Sequence, residues 1–410
     1  MQIVKRTEPR LPQAPQACDA DVRAVDDLRE HLRRLRALPA HGNRKLHYDH
    51  VVVGLLLSFY NPVIRSLRLI EACGDFGGKI DLDRMAKSTT ADALAAFDPQ
   101  LLKPLVDDLV RRAGELRRPR HATDPLRGIA WQVVAGDGTY LTTLASVAWA
   151  LRHTQRGGKT QGQVRLNVQL DTASWTPRVI TVSGDDGSEP AAFGKDLLSG
   201  VLYVFDRNFL DFAFLGLVLA KDSHFVLRTR DNAPAVRVLR TLELTPDDAA
   251  AGVVSDQLVE LTGRDAPAGA FRLVVIRTTD RRGKAEEVRL LTDLTDAELV
   301  PARLVGDVYR ERWQVELFFK WLKAWAGLDH LFGTSRNAVT FQFYVAVIGV
   351  LLMYVRLGRR VSRHAIACMQ LLVHGQITAA SMFATLEKLE REKERARARA
   401  AARRARKKLS

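Results

Sequence analysis

The chain has 410 residues, 47% of them hydrophobic and 27% charged, enough for a sizeable core and two or three domains. Its 62 Lys and Arg against 47 Asp and Glu give a net charge of +15, which points to a polyanionic partner, nucleic acid first and an anionic membrane second. Cys18, Cys73 and Cys368 lie far apart with no CxxC pair, which excludes a zinc ribbon or a disulfide framework and fits a reduced cytoplasmic interior.

The first twenty residues, punctuated by Pro9, Pro12 and Pro15, read as a flexible arm with no apolar run of a secretory signal. From Asp21 to about Arg127 the pattern is helical, with apolar residues at helical spacing in Val51–Tyr60, Val63–Ala72 and Leu101–Arg112. Asp81–Lys87, a turn at Ser88–Thr90 and Ala91–Phe97 have the form of a helix-turn-helix, although an ordinary helical hairpin explains them as well. Arg111, Arg112, Arg117, Arg118 and Arg120 form a basic run that suits either DNA contact or a solvated linker. His41, His47 and His50 lack a further ligand motif and read as surface or capping residues.

From Ile129 the pattern changes to strands. Trp131–Asp137 is an apolar run ending in an acid, and Gln163–Asp171 alternates strictly, with Val164, Leu166, Val168 and Leu170 on one face. Arg178–Ser183 is a third strand, Asp185, Asp186 and Glu189 read as an acidic loop, and Ala191–Leu198 reads as a helix. Val201–Asp206 is a central buried strand ending in an acid, Phe209–Ala220 an apolar helix and His224–Thr229 another strand. Three strands, helix, strand, helix, strand is the order of the ribonuclease H-like fold. Residues 231–299 hold four further candidate strands, Ala235–Leu242, Val253–Thr262, Ala270–Thr278 and Glu286–Thr292, expected as an inserted β-rich subdomain.

The segment YRERWQVELFFKWLK then places Tyr309, Arg312, Glu316 and Lys323 at spacings of 3, 4 and 7, so on one continuous helix all four share a face. Ala338–Val355 is apolar enough to raise the question of a membrane, but Thr340, Gln342, Tyr344 and Gly349 interrupt it, and a buried core helix is the better reading. The last twenty residues carry ten bases against two acids and form either a DNA-binding helix or a charged tail.

Asp137 lies in GDGTYL between two glycines, Asp206 in VFDRNF, and Glu316 on a helix among cations. These are the three slots where a ribonuclease H-like fold carries acids. Hard oxygen ligands so placed suit two Mg²⁺ ions, with Mn²⁺ as a substitute, in phosphodiester chemistry. Asp171 is the substitute for Asp137 should the first strand be misplaced.

These residues carry a resemblance. Tyr309, Arg312, Glu316 and Lys323 match Tyr-x2-Arg-x3-Glu-x6-Lys at every spacing, Asp137-Gly138-Thr139 matches a first-acid motif, and Asp206-Arg207 a second, with Asn208 where Gly is frequent. The chain thereby resembles the DDE transposases of the bacterial insertion-sequence-four family over about Ile129 to Gly333. The resemblance implies catalytic, metal-holding Asp137, Asp206 and Glu316, with Tyr309, Arg312, Lys320, Lys323 and Arg207 contacting DNA. It implies cleavage at terminal inverted repeats and joining of the freed 3′-hydroxyl to target DNA, in some relatives through a hairpin, by a homodimer that pairs two ends. Related enzymes flip a base onto a Trp, for which Trp131, Trp149, Trp175, Trp313, Trp321 and Trp325 are available. The expected architecture is a helical N-terminal DNA-binding domain (1–128), a ribonuclease H-like α/β core (129–230), the β insertion (231–299), a catalytic helix (300–335) and a helical C-terminal region with the basic tail (336–410). The expected location is the bacterial cytoplasm, at the nucleoid. The competing readings are a ribonuclease H-like nuclease without strand transfer and a DNA-binding repressor descended from a transposase.

Overall fold

The computed structural model describes residues 31–38, 46–61, 64–72, 85–115, 124–143, 151–153, 160–183, 188–230, 234–279, 283–325, 331–358, 361–373 and 375–409. They fall into two compact units, one drawn from 1–97 and 361–410, the other from 98–360. The second unit therefore begins about thirty residues before the change from helical to strand periodicity.

In the first unit, α1 (Tyr48–Tyr60) buries nearly all its length, including Val51, Val52, Val53, Leu55 and Phe59. The His47 N–H donates to His50 Nδ1 at 3.1 Å, so this pair caps the helix, while Arg36 bonds Asp49 at 2.8 Å. After α2 (Leu67–Ala72), α3 runs unbroken through Lys87–Ala96. The turn expected at Ser88–Thr90 is absent. Thr90 bonds back to the Ala86 carbonyl through both its N–H and its hydroxyl, at 2.9 Å each, and stays helical. Residues 81–84 and the arm at 1–20 lie outside the described residues.

The second unit opens with a short 3-10 turn at Pro99–Leu102. Asp98 caps it by accepting from the Gln100 N–H at 2.9 Å, with Pro99 at the first position, where its missing N–H costs nothing. α4 (Lys103–Glu115) buries Leu105, Val106, Leu109 and Ala113 on one face. Its Arg111 and Arg112 pair with Asp108, and Arg111 also with Glu115, at helical spacing. The rest of that basic run lies outside the described residues.

Among the described residues the sheet has ten strands. β1 (Gln132–Thr143) pairs antiparallel with β3 (Thr160–Asp171), whose outer edge holds short β2 (Leu151–His153) and β4 (Thr176–Ser183). After α5 (Glu189–Phe193), β5 (Val201–Phe205) lies parallel to β1; after α6 (Phe212–Leu219), β6 (His224–Arg228) lies parallel to β5. The order β4-β3-β1-β5-β6 carries the element sequence expected of a ribonuclease H-like core. Alternation along β5 explains how both faces are buried. Val201, Tyr203 and Phe205 join Phe209, Phe214 and Leu215 on one side, and Leu202 and Val204 join a second apolar cluster on the other.

The sheet does not stop at β6. β7 (Val236–Thr241), the short helix α7 (Pro246–Ala250), β8 (Val253–Leu261), β9 (Ala270–Thr279) and β10 (Ala285–Thr292) follow, and β10 pairs antiparallel with β6. The 231–299 block, expected as an inserted β-rich subdomain, extends the central sheet through the pairing of β10 with β6. A buried pair fastens it: Arg272 donates to both Asp256 oxygens, at 2.7 and 2.5 Å, and to the Val300 carbonyl at 2.5 Å.

α8 (Ala302–Arg310) packs Val305 and Val308 into the second cluster, and α9 (Trp313–Trp325) follows. The single helix expected over 309–323 is therefore two. At the junction the bonds Glu311→Val308, Arg312→Tyr309, Gln314→Glu311 and Val315→Arg312 all span three residues, a tighter winding than an α-helix. α10 (Arg336–Leu357) is long and apolar enough to cross a membrane by length and composition, but 89% of its apolar window is buried, as in a core helix. It packs on α4 and the 3-10 turn before it, which places 98–115 with the sheet unit. Ser335 caps its start and Gly358, at φ +62°, ends it in the left-handed region. In the first unit α11 (Arg363–Val373) and α12 (Ala379–Leu409) complete the chain, and the basic terminal segment is helical through Leu409.

Candidate functional site

β1 and β5 run in parallel with Ala135 opposite Val204, and Asp137 and Asp206 each come two residues later. The strand expected to end at Asp137 runs on to Thr143, so Asp137 lies within β1 while Asp206 follows the end of β5, the two at the same level of neighbouring strands. Asp206 opens a 3-10 turn, accepting from the Asn208 N–H at 2.7 Å. Among the described residues it forms no salt bridge with Arg207, which is exposed.

Asp137 and Glu316 line one open pocket of about 720 Å³, with Gly138, Thr139, Phe319, Lys320 and Lys323. β1 supplies one wall and α9 the other. Phe318 is fully buried and meets Trp175 edge to face at 5.3 Å, and Trp175 also meets Trp321 at 6.1 Å, so this aromatic group anchors α9. Lys323 Nζ donates to Thr139 Oγ1 at 2.6 Å and to the Tyr140 carbonyl at 3.1 Å, tying α9 to β1 across the pocket.

The electrostatics follow from this crowding. Burial lifts Asp137 first, and the carboxylates of Glu189 and Asp206 lift it further, against Arg312 and the Gly138 N–H; the outcome is about 7. Burial and Asp206 likewise raise Glu189, opposed by Arg165 and the Gly138 N–H. Arg312 donates to Glu316 at 2.6 Å and lies over the Tyr309 ring, 5.8 Å from its centre. Burial works against the Arg312 charge, but Tyr309, Glu316 and Asp137 outweigh it and raise its pKa. Burial lowers Lys323, with Asp137 opposing.

The structure therefore gathers Asp137, Asp206, Glu316, Arg312, Tyr309, Lys320 and Lys323 around one region. Asp171 is elsewhere: buried at the end of β3, it accepts from Ser174 at 2.6 Å and from the Ala173 N–H at 3.0 Å, and serves the β3–β4 turn. Of the tryptophans, Trp175 and Trp321 belong to the core, Trp131 packs edge-on to His224 at 4.5 Å, and Trp313 is 43% exposed. Trp149 and the Trp325 side chain lie outside the described residues. The acid that sequence reasoning passed over is Glu189. Its one signal is Ser188, which caps α5 by accepting from the Ala191 N–H, so Glu189 stands in a helix rather than a loop.

Among the described residues, no three His, Cys, Asp or Glu side chains stand close enough together to hold a metal ion as they are placed. The donors themselves are hard carboxylate oxygens, without sulfur or imidazole, and one buried amide beside them is unpaired: neither Oδ1 nor Nδ2 of Asn167 has a hydrogen-bond partner. That set fits a hard divalent cation that keeps several waters of its own.

A sequence model described as "Transposase DDE domain" matches residues 131–352, more than half of the chain. A Sinorhizobium fredii protein whose name describes it as transposase y4zB is 27% identical over 210 residues, 50% of this chain and 57% of that protein. A Geobacillus stearothermophilus protein named as a transposase for insertion sequence element IS5377 is 26% identical over 68% of this chain and 69% of its own length. A Synechocystis protein named for insertion sequence element IS4SA is 34% identical over 71 residues, 16% of this chain and 21% of its own. The match thus spans little more than half the length of the first of these relatives.

Proposed function

The chain belongs to the family of DDE transposases, and we propose that it binds the terminal inverted repeats of a mobile element, cuts at its ends and joins the freed 3′-hydroxyl to target DNA. The observation that carries this reading is the convergence of Asp137 and Glu316 on one pocket, with Asp206 beside Asp137 on the adjoining strand.

In this reading Asp137, Asp206 and Glu316 would hold two Mg²⁺ or Mn²⁺ ions, whose chemistry would be to favour the attacking oxygen and the leaving one. The remaining residues position DNA and the acids. Lys323, bonded to Thr139 and the Tyr140 carbonyl, holds α9 so that Glu316 faces β1. Arg312 carries a charge stabilised by Glu316 and is placed to pass from that carboxylate to a DNA phosphate. Lys320 and Arg207, both exposed, and Tyr309 complete the phosphate contacts. The helical unit with the basic α12 binds the repeats, and two copies pair the two ends.

The test is an end-cleavage assay with purified full-length protein, Mg²⁺ or Mn²⁺, and DNA ending in the inverted repeats that flank the coding sequence. Metal-dependent nicking at those ends, lost in Asp206→Ala and Glu316→Ala, is expected. Binding without cleavage by the wild type would favour a repressor, and cleavage that survives both substitutions would mean that other acids carry the reaction.

A further inference from the structure

The reading above uses three acids, yet a fourth stands among them. β3 lies opposite β1 with Asn167 paired to Gly138 and Arg165 to Tyr140, so Arg165, Asn167 and Gln169 share one face. Gly138 leaves room on that face. A Cβ there would meet Glu189 Oε1 first and Asn167 Oδ1 at 2.8 Å, so the carboxylate and the amide converge over the residue next to Asp137.

Asn167 is only 3% exposed, and neither its Oδ1 nor its Nδ2 has a partner. A buried amide left unpaired is a standing penalty unless something occupies the space before it. Glu189 feels the charge of Asp206 and Asp137 feels that of Glu189, with Arg165 the cation opposing at Glu189. An orphan amide oxygen beside mutually repelling carboxylates is a donor set for a hard cation, which takes carboxylate and amide oxygens alike.

We infer that Glu189 is a fourth carboxylate of the metal site, with Asn167 Oδ1 as a neutral oxygen beside it. The inference rests on the three-acid reading proposed above and adds a residue to it. Glu189 reaches the site from the face of the sheet that carries α5, whereas Glu316 reaches it from α9.

The test is Mn²⁺ binding by the full-length protein without DNA, followed by calorimetry and by the Mn²⁺ electron paramagnetic resonance signal, for the wild type, Glu189→Gln and Asp206→Asn. Glu189→Gln should weaken Mn²⁺ binding at least about tenfold while leaving the metal-free Tm unchanged or higher. Wild-type affinity in Glu189→Gln, with a loss in Asp206→Asn, would overturn the inference and leave the three-acid reading standing. Wild-type affinity in both variants would overturn the three-acid reading itself. A second measurement needs no variant: Fe²⁺ with ascorbate and peroxide, loaded in place of Mn²⁺, should cut the wild-type backbone near Asp137, Asp206 and Glu189. Cuts at Asp137 and Asp206 with none near Glu189 would also overturn the inference.

Discussion

Arg312 donates to Glu316 at 2.6 Å, and its charge also reaches Asp137, so a fixed cation of the chain sits against two of the acids proposed to hold metal. The pair spans four residues across the tightened junction between α8 and α9. It offers Glu316 a counter-charge whenever no other cation is present.

Replacing Arg312 with Gln should therefore act in opposite directions on two ligands. Mn²⁺ binding without DNA should tighten, because Glu316 loses its competing partner. Binding to repeat-end DNA should weaken, and the slope of log K against log salt should fall by about one phosphate contact. Parallel calorimetric and salt titrations check both. Unchanged values in both would remove Arg312 from the site.

Gly138→Ala should be costly despite its size, because the new methyl meets Glu189 and Asn167. A loss on the order of 1–3 kcal/mol is expected from overpacking, read from thermal or urea melts. In a Glu189→Ala background the same substitution should cost less, since the first atom it strikes is gone and only the Asn167 amide, at 2.8 Å, must still give way.

Asp137 sets a pH dependence with a definite sign. Its folded pKa of about 7 stands above the ordinary carboxylate value of 3.8, so between those limits the folded chain holds a proton that the unfolded chain releases. Stability without metal should fall as pH rises from 4 to 7. Melts in chelator at pH 5 and pH 8 should show this, and Asp137→Asn should raise the Tm at pH 8 above that of the wild type. A wild type that gains stability over this range would contradict the assigned crowding of acids.

Much of this was legible in the sequence because periodicity reports burial. The apolar run of Val201–Asp206 marked its strand to within one residue, and the alternation of Gln163–Asp171 marked the end of a strand that starts three residues earlier, at Thr160. Of the four residues whose spacing stood out, Glu316 and Lys323 line one pocket and Arg312 pairs with Glu316, although the helix is broken between Arg310 and Trp313. Three features were hidden for physical reasons. The junction at Glu311–Arg312 contains neither Gly nor Pro, because a brief run of i→i−3 bonds needs no special residue. The pairing of β10 with β6 joins segments sixty residues apart, which local pattern does not register. Glu189 reaches the site only because Gly138, fifty residues earlier, presents no side chain.

The Arg272–Asp256 pair, wholly buried between β8 and β9, gives a prediction away from the site. Arg272→Met leaves Asp256 buried without its partner and the Val300 carbonyl without its donor, at an expected cost of about 3–5 kcal/mol. The double replacement Arg272→Met with Asp256→Leu should recover most of that loss, as measured by urea unfolding.

The central claim is that one set of acids both cuts and joins DNA, and strand transfer from a pre-cut end tests it most directly. Repeat-end DNA carrying a free 3′-hydroxyl is mixed with target DNA, protein and Mg²⁺, and covalent joining is scored on a denaturing gel. Joined product from the wild type, absent with Asp137→Asn, Asp206→Asn or Glu316→Gln, is the predicted result. Cutting of intact ends with no joining of pre-cut ones would contradict the account and leave a nuclease in its place.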